Sequence, residues 1–141
     1  MAKLRYFLAK TEPAVYSIED LARDSRTTWD GVRNAQARIA IRAMEPGDLV
    51  FIYHSGGVSA VVGLARVANT PTDAPDDPKM TVVDFEYVHT LSEPVTLKAV
   101  KESDLFSDFA LVRQGRLSTM EAPASFATWL KKQRPELKKF L

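Results

Sequence analysis

Four short clusters of this 141-residue chain concentrate side chains that can bind or react: Lys10-Thr-Glu-Pro13, Trp29-Asp-Gly-Val-Arg-Asn34, Tyr53-His-Ser55 and Arg113-Gln-Gly-Arg-Leu-Ser118. Each falls at an expected strand end or just ahead of an expected helix, and the ends of strands in a small barrel converge on a mouth where ligands bind. Trp29 stands between polar Thr28 and Asp30, and Asp30-Gly31 is a turn pair, so a loop presents the indole either to the core or as a stacking platform. Asn34 and Gln114 carry both donors and acceptors, as recognition of a base edge requires, while Asn34 equally suits a helix N-cap. Arg33, Arg113 and Arg116 are of the type that contacts phosphate. Tyr53 and His54 suit a site, and a strand Tyr is also commonly buried with its hydroxyl satisfied. Lys10 beside a hydroxyl and a carboxylate has the types for a nucleophile and its base, but neighbours on a strand alternate faces, so Lys10, Thr11 and Glu12 do not easily converge. A lysine beside Glu12 at an open mouth is expected to remain a charged donor.

Composition narrows the chemistry. The absence of cysteine excludes disulfides, thiolate catalysis and cysteine-ligated metals, and His54 and His89 are the only imidazoles. No HExxH or DxDxDG spacing occurs, so a metal site is not expected. The apolar stretches at 49–53 and 58–65 are far shorter than the ~20 residues of a membrane helix, and the first residues reach Glu12 and Pro13 too early for a signal peptide. A soluble cytoplasmic protein is expected. The net charge of +1 hides separate patches. Arg23, Arg26, Arg33, Arg38 and Arg42 face only Asp24 and Asp30, residues 131–139 are basic, and residues 73–86 are acidic. Such a dipolar surface can meet an anionic polymer with its basic side, or can be an ordinary solvated one.

The elements that must position these clusters follow from pattern and punctuation. Alternation over 4–9 predicts a first strand, and Ser17-Ile-Glu-Asp20 resembles a capping box opening a helix to about Arg23. Asn34 caps an expected helix to Met44, which Glu-Pro-Gly-Asp48 ends. Strands at 49–54 and 60–67 are joined by the Ser55-Gly56-Gly57 turn, and the first, apolar on both faces, is expected to be central. A Pro/Asp-rich loop over 70–79 precedes a strand at 81–88 with one wet face. A helix over 97–103, a short strand at 110–112 and a last helix capped by Ser125 follow, with Phe126, Trp129 and Leu130 in an apolar stripe and a frayed tail from about 135. No repeat or linker divides the chain, which reads as one α+β domain over residues 1–141 with a curled sheet close to a small barrel.

In this order, FLAKTEP, TTWDGVRNAQAR, MEPGDLVFIYHS, AVVGLARV and FALVRQGRLS resemble the EVE domain, a member of the PUA-like group similar in plan to the YTH readers of methylated adenine in RNA. The likeness runs from about Arg5 to Leu130, and WDGVRN followed by YHS and RQGRLS is its specific part. It implies a PUA-like mixed barrel flanked by helices, and a cofactor-free pocket for one modified base, a modified cytosine in DNA or a modified base in RNA. By position, Trp29 would be a pocket wall; Tyr53, His54 and Ser55 would line the floor; Lys10, Glu12 and Asn34 would supply polar contacts. Arg113, Gln114, Arg116 and Ser118 would close the opposite side, and the helix bearing Arg33, Arg38 and Arg42 would approach the nucleic-acid backbone. The related ASCH branch includes amidohydrolases that use a Lys, a Thr and a Glu, so the alternative is a small hydrolase of acylated or otherwise modified pyrimidine nucleosides. The expectation is a non-catalytic reader whose partner is nucleic acid.

Overall fold

The structure, a computed structural model, describes residues 4–30, 32 and 34–141. Arg33 therefore lies outside the described residues. Strand β1 (Tyr6–Thr11) leads through helix α1 (Ile18–Asp24), strand β2 (Arg26–Trp29) and helix α2 (Ala35–Arg42) to strands β3 (Leu49–His54) and β4 (Ala60–Val67). Strands β5 (Thr72–Ala74) and β6 (Asp77–Thr96), helices α3 (Leu97–Glu102) and α4 (Ala110–Arg113), strand β7 (Thr119–Ala122) and helix α5 (Ala124–Gln133) complete the order before a closing 3-10 turn, Pro135–Lys139.

These elements build a mixed α+β fold around one seven-stranded sheet in the order β2-β6-β4-β3-β1-β7, with β5 paired to β6. The β1–β3 pair is parallel and the others antiparallel. β3 is central as its pattern predicts, with Leu49, Val50, Phe51, Ile52 and Tyr53 all buried. The expected barrel does not close, because no strand pairing joins β2 to β7 among the described residues. Helix α2 packs instead against both β7 and β6, burying Ala37 and Ile41. Phe7, Phe51, Phe106, Phe109 and Phe126 gather in the core, with Phe51 and Phe126 edge to face at 5.8 Å. Each such ring contributes roughly 1.5–3 kcal/mol on burial.

Capping chemistry sets the helices near the site. Ser17 accepts from Asp20 N and the Asp20 carboxylate accepts from Ser17 N, so the box closes with Asp in the usual Glu position. Asn34 Oδ1 accepts from Ala37 N at 3.0 Å and starts α2.

Several expectations give way. Trp29 does not sit in a loop: it ends β2, a strand of Arg, Thr, Thr and Trp paired to β6, and Thr and Trp are good strand formers. The 70–79 loop is a hairpin, since Pro75-Asp76 forms a tight turn whose flanks pair, and β6 runs on to Thr96. Residues 110–112 form a helical turn, with Val112 N and Arg113 N both donating to Phe109 O; so short an apolar run carries no period to decide its type. The last helix starts at Ala124 behind Pro123, whose φ of −68° suits the entrance, leaving Ser125 inside its first turn. The tail is docked rather than frayed: Leu137 is buried, Phe140 lies 5.0 Å from the His89 ring, and Glu136 meets His89 and Ser92 at 2.8 and 2.7 Å.

Candidate functional site

The C-terminal end of β1, the turn before α1 and the end of β2 meet around a cavity of about 490 Å³, within the roughly 300–1,000 Å³ range of small-ligand sites. Lys10 and Thr11 come from β1, Val15 and Tyr16 from the turn, and Thr27, Thr28 and Trp29 from β2; Asp30, Val32 and Ser118 complete the lining. Trp29 is half-buried, its indole backed by Phe85 at a centroid distance of 5.0 Å. One side of the ring rests on the core while Trp29 still lines the cavity, so packing and exposure to the cavity are combined in one side chain.

Lys10 faces this wall from an unusual environment. Its Nζ donates to Gly115 O at 2.8 Å and lies 5.5 Å from the centroid of the Tyr53 ring. Burial lowers its pKa below the ordinary lysine value, because a desolvated ammonium lacks the stabilisation that a carboxylate or water would give. The expectation of an unperturbed lysine is corrected by that desolvation. Thr11 Oγ1 donates to Tyr16 O at 2.8 Å, which leaves the oxygen's lone pairs as acceptors. Thr28 Oγ1 donates to Asp84 Oδ1, and Tyr16 Oη donates to Asp24 Oδ2. The chemistry on offer is therefore an aromatic face, hydroxyl groups, one dehydrated cation and, at the rim, the exposed Asp30 carboxylate.

Of the residues that the sequence singled out, Lys10, Trp29 and Ser118 line the cavity together. Tyr53 is 2% exposed and lies beneath Lys10, with its hydroxyl bonded to Ser59 and its pKa raised by burial. His54 accepts from Ile18 N at 3.0 Å through Nε2, so its imidazole is spent on the first turn of α1. Burial lowers its pKa, against an opposing pull from Glu19, and an accepting Nε2 requires the ring to be neutral there. Ser55 bonds through its backbone to Thr11 O. The three residues expected on the floor thus support it from behind. Glu12 is exposed outside the lining, and Asn34 is the α2 cap. Arg113, Gln114 and Arg116 are exposed around Gly115, whose carbonyl holds Lys10. The 114–118 loop is anchored to β1 by Lys10 N donating to Ser118 O at 2.8 Å.

Arg38 and Arg42 separate. Arg42 donates to Thr81 Oγ1 and lies 3.9 Å from Asp73, whereas Arg38 Nε is buried with no hydrogen-bond partner among the described residues. Sequence reasoning missed Val15, Tyr16, Thr27, Thr28, Asp30 and Val32 as lining residues; recognising β2 as a strand was the signal that would have brought the Thr27-Thr28-Trp29 run to the site.

A second, larger cavity of about 660 Å³ lies at the other end of β1, lined by Leu4, Arg5, Phe106, Phe109 and Glu121 among others. Its one cation is already paired, Arg5 to Glu121 at 2.7 Å, and its other charged group is the exposed Asp108. Volume does not decide between the two; available polar groups do, and they favour the Trp29 cavity.

The sequence matches the EVE domain family over residues 5–133. This chain is an EVE-domain protein. The EVE chain is 33% identical over 124 residues to mouse thymocyte nuclear protein 1, an alignment covering 68% of this chain and 55% of that protein. It thus spans about half the length of the curated relatives it matches. Its fold superposes on a Rhodopseudomonas palustris protein with a TM-score of 0.89 at 33% identity, covering 96% of each chain. Human thymocyte nuclear protein 1, solved in complex with DNA containing 5-methylcytosine, matches with a TM-score of 0.79 at 26% identity, covering 90% of this chain and 97% of that one. An ASCH protein from Zymomonas mobilis shares the fold, with a TM-score of 0.65 at 12% identity over 92% of this chain and 99% of that one. Among the described residues no helix is long and apolar enough to cross a membrane.

Proposed function

We propose that this chain is a non-catalytic nucleic-acid-binding module that receives one modified base, a modified cytosine in DNA or a modified base in RNA, in the Trp29 cavity. The observation that carries the reading is a half-buried indole lining the same cavity as a half-buried lysine whose Nζ donates to a carbonyl. An indole suits any base face, and base–aromatic stacking is worth about 1–3 kcal/mol. The remaining Lys10 donors suit a base carbonyl, and the Asp30 carboxylate suits an exocyclic amine. A single methyl adds only about 1–3 kcal/mol, so selectivity needs a close apolar fit, which Trp29, Val32 and the threonine methyls provide. The relative bound to 5-methylcytosine DNA favours a modified cytosine as the first ligand to try.

The amidohydrolase alternative draws on one observation, the lowered pKa of Lys10 beside Thr11. Two others weigh against it. The Thr11 hydroxyl proton is directed to Tyr16 O, and Glu12 lies outside the lining, so no base–nucleophile pair is assembled. Both readings are tested by incubating the protein with oligonucleotides and with acylated or methylated pyrimidine nucleosides. Binding of at least one modified oligonucleotide with all nucleosides unchanged by mass spectrometry is expected; turnover abolished by Thr11→Ala or Lys10→Met would establish the hydrolase.

A further inference from the structure

An everted base leaves a gap in the duplex stack, and the protein that captures it must offset the lost stacking. Apolar wedges at the lip of a binding site serve that purpose in proteins that unstack DNA. Five large apolar residues are strongly exposed among the described residues, and of these only Val15, at 76% exposure, lines the Trp29 cavity. It sits on a fixed turn. Val15 N and Tyr16 N both donate to Glu12 O at 2.9 Å, and Thr11 Oγ1 holds Tyr16 O at 2.8 Å, so both ends are tied while Pro13, Ala14 and Val15 stand in solvent. A side chain so exposed adds little to the fold.

The charge on this turn argues against a phosphate contact. The exposed Glu12 lies on it, and the neighbouring Lys10 turns away to Gly115 O, so the tip carries no available cation. An anionic, apolar projection is suited to base faces and edges rather than to the backbone. We infer that the turn over residues 12–16 enters the duplex when the target base leaves it, with Val15 as the plug that fills the vacated position. This rests on the base-binding reading of the cavity and adds that the substrate is double-stranded.

The test compares wild type, Val15→Ala and Trp29→Ala on one 5-methylcytosine strand presented single-stranded, in a matched duplex, and in a duplex with the target mispaired. Val15→Ala is expected to weaken matched-duplex binding about tenfold, to weaken the mispaired duplex less, and to weaken single-strand binding least of the three. A 2-aminopurine beside the target should also report less unstacking with this variant. Equal loss on all three forms, or no loss on any, overturns the plug. Trp29→Ala separates the two failures: if it weakens all three forms while Val15→Ala changes none, the cavity reading stands and the plug falls. If the wild type binds none of the three, or Trp29→Ala changes nothing, the cavity reading falls and takes the plug with it.

Discussion

Strand β1 has a cation and a cavity at each end, and the two ends are bonded differently. Before its start, Arg5 forms a two-pronged pair with Glu121 at 2.7 and 3.1 Å and also donates to Ala43 O. At its finish, Lys10 has a carbonyl and the face of Tyr53, and no carboxylate partner among the described residues. A saturated guanidinium has little left to offer a ligand, whereas a desolvated ammonium with spare donors gains from one. The smaller cavity therefore keeps a cation with donors to spare, whereas the cation of the larger one is already neutralised by Glu121.

The contrast breaks most visibly at Trp29. Trp29→Ala should weaken the preferred modified oligonucleotide ten- to a hundredfold, in line with about 1–3 kcal/mol of stacking, with the fold intact because the strand pairing to β6 remains. Fluorescence anisotropy with a parallel circular-dichroism melt checks it; an unfolded mutant would return Trp29 to the core.

Next in size is Gly63, which decides how closely α1, and with it the turn before it, can approach the sheet. A Cβ there would lie 2.6 Å from Ile18 Cδ1 and 2.7 Å from the His89 carbonyl oxygen. Gly63→Ala should cost about 1–3 kcal/mol in urea denaturation, the usual range for overpacking, and should weaken binding at the Trp29 end by displacing α1.

His54 sharpens the contrast through pH. Its folded pKa is lowered, so the unfolded chain binds the proton more readily, and the stability it contributes is complete above its ordinary value of about 6.5 and lost as pH falls through the lower folded value. The urea midpoint of the wild type should fall on acidification below pH 6.5, and His54→Gln should flatten that part of the curve.

A smaller effect separates two neighbours on α2. Arg38→Ala should weaken modified and unmodified oligonucleotides alike and flatten the salt dependence, as loss of a phosphate contact does. Arg42→Ala should do less, since its guanidinium is engaged with Thr81 and Asp73. Smallest of all, Arg5→Ala should cost no more than about 1 kcal/mol of stability, as an exposed ion pair does, and leave binding unchanged.

Local signals were legible wherever a single short-range interaction decided the outcome. The Ser17 box, the Asn34 cap and the β3 and β4 spans fall where their residues place them. What the sequence concealed was decided by distant partners. β2 exists because β6 offers a pairing edge to three polar residues and Trp29, and the tail docks because Leu137 and Phe140 find apolar partners that its many lysines obscure. The site was legible as residue types rather than as positions: Lys10, Trp29 and Ser118 converge, while His54 and Asn34, equally suited by chemistry, are spent on helix starts. Alternation along β1 did not keep Lys10 and Thr11 apart, since both line the cavity at the strand's end, and Glu12 alone of the three lies outside it.

The central claim is that the lysine near the end of β1 and the indole at the end of β2 recognise a modified base. The most direct measurement is a titration of wild type, Trp29→Ala and Lys10→Met with two oligonucleotides differing by the 5-methyl of one cytosine. The wild type should bind the methylated strand more tightly, both variants should lose affinity, and Trp29→Ala should lose the preference as well. Equal affinity of all three proteins for both strands would contradict it.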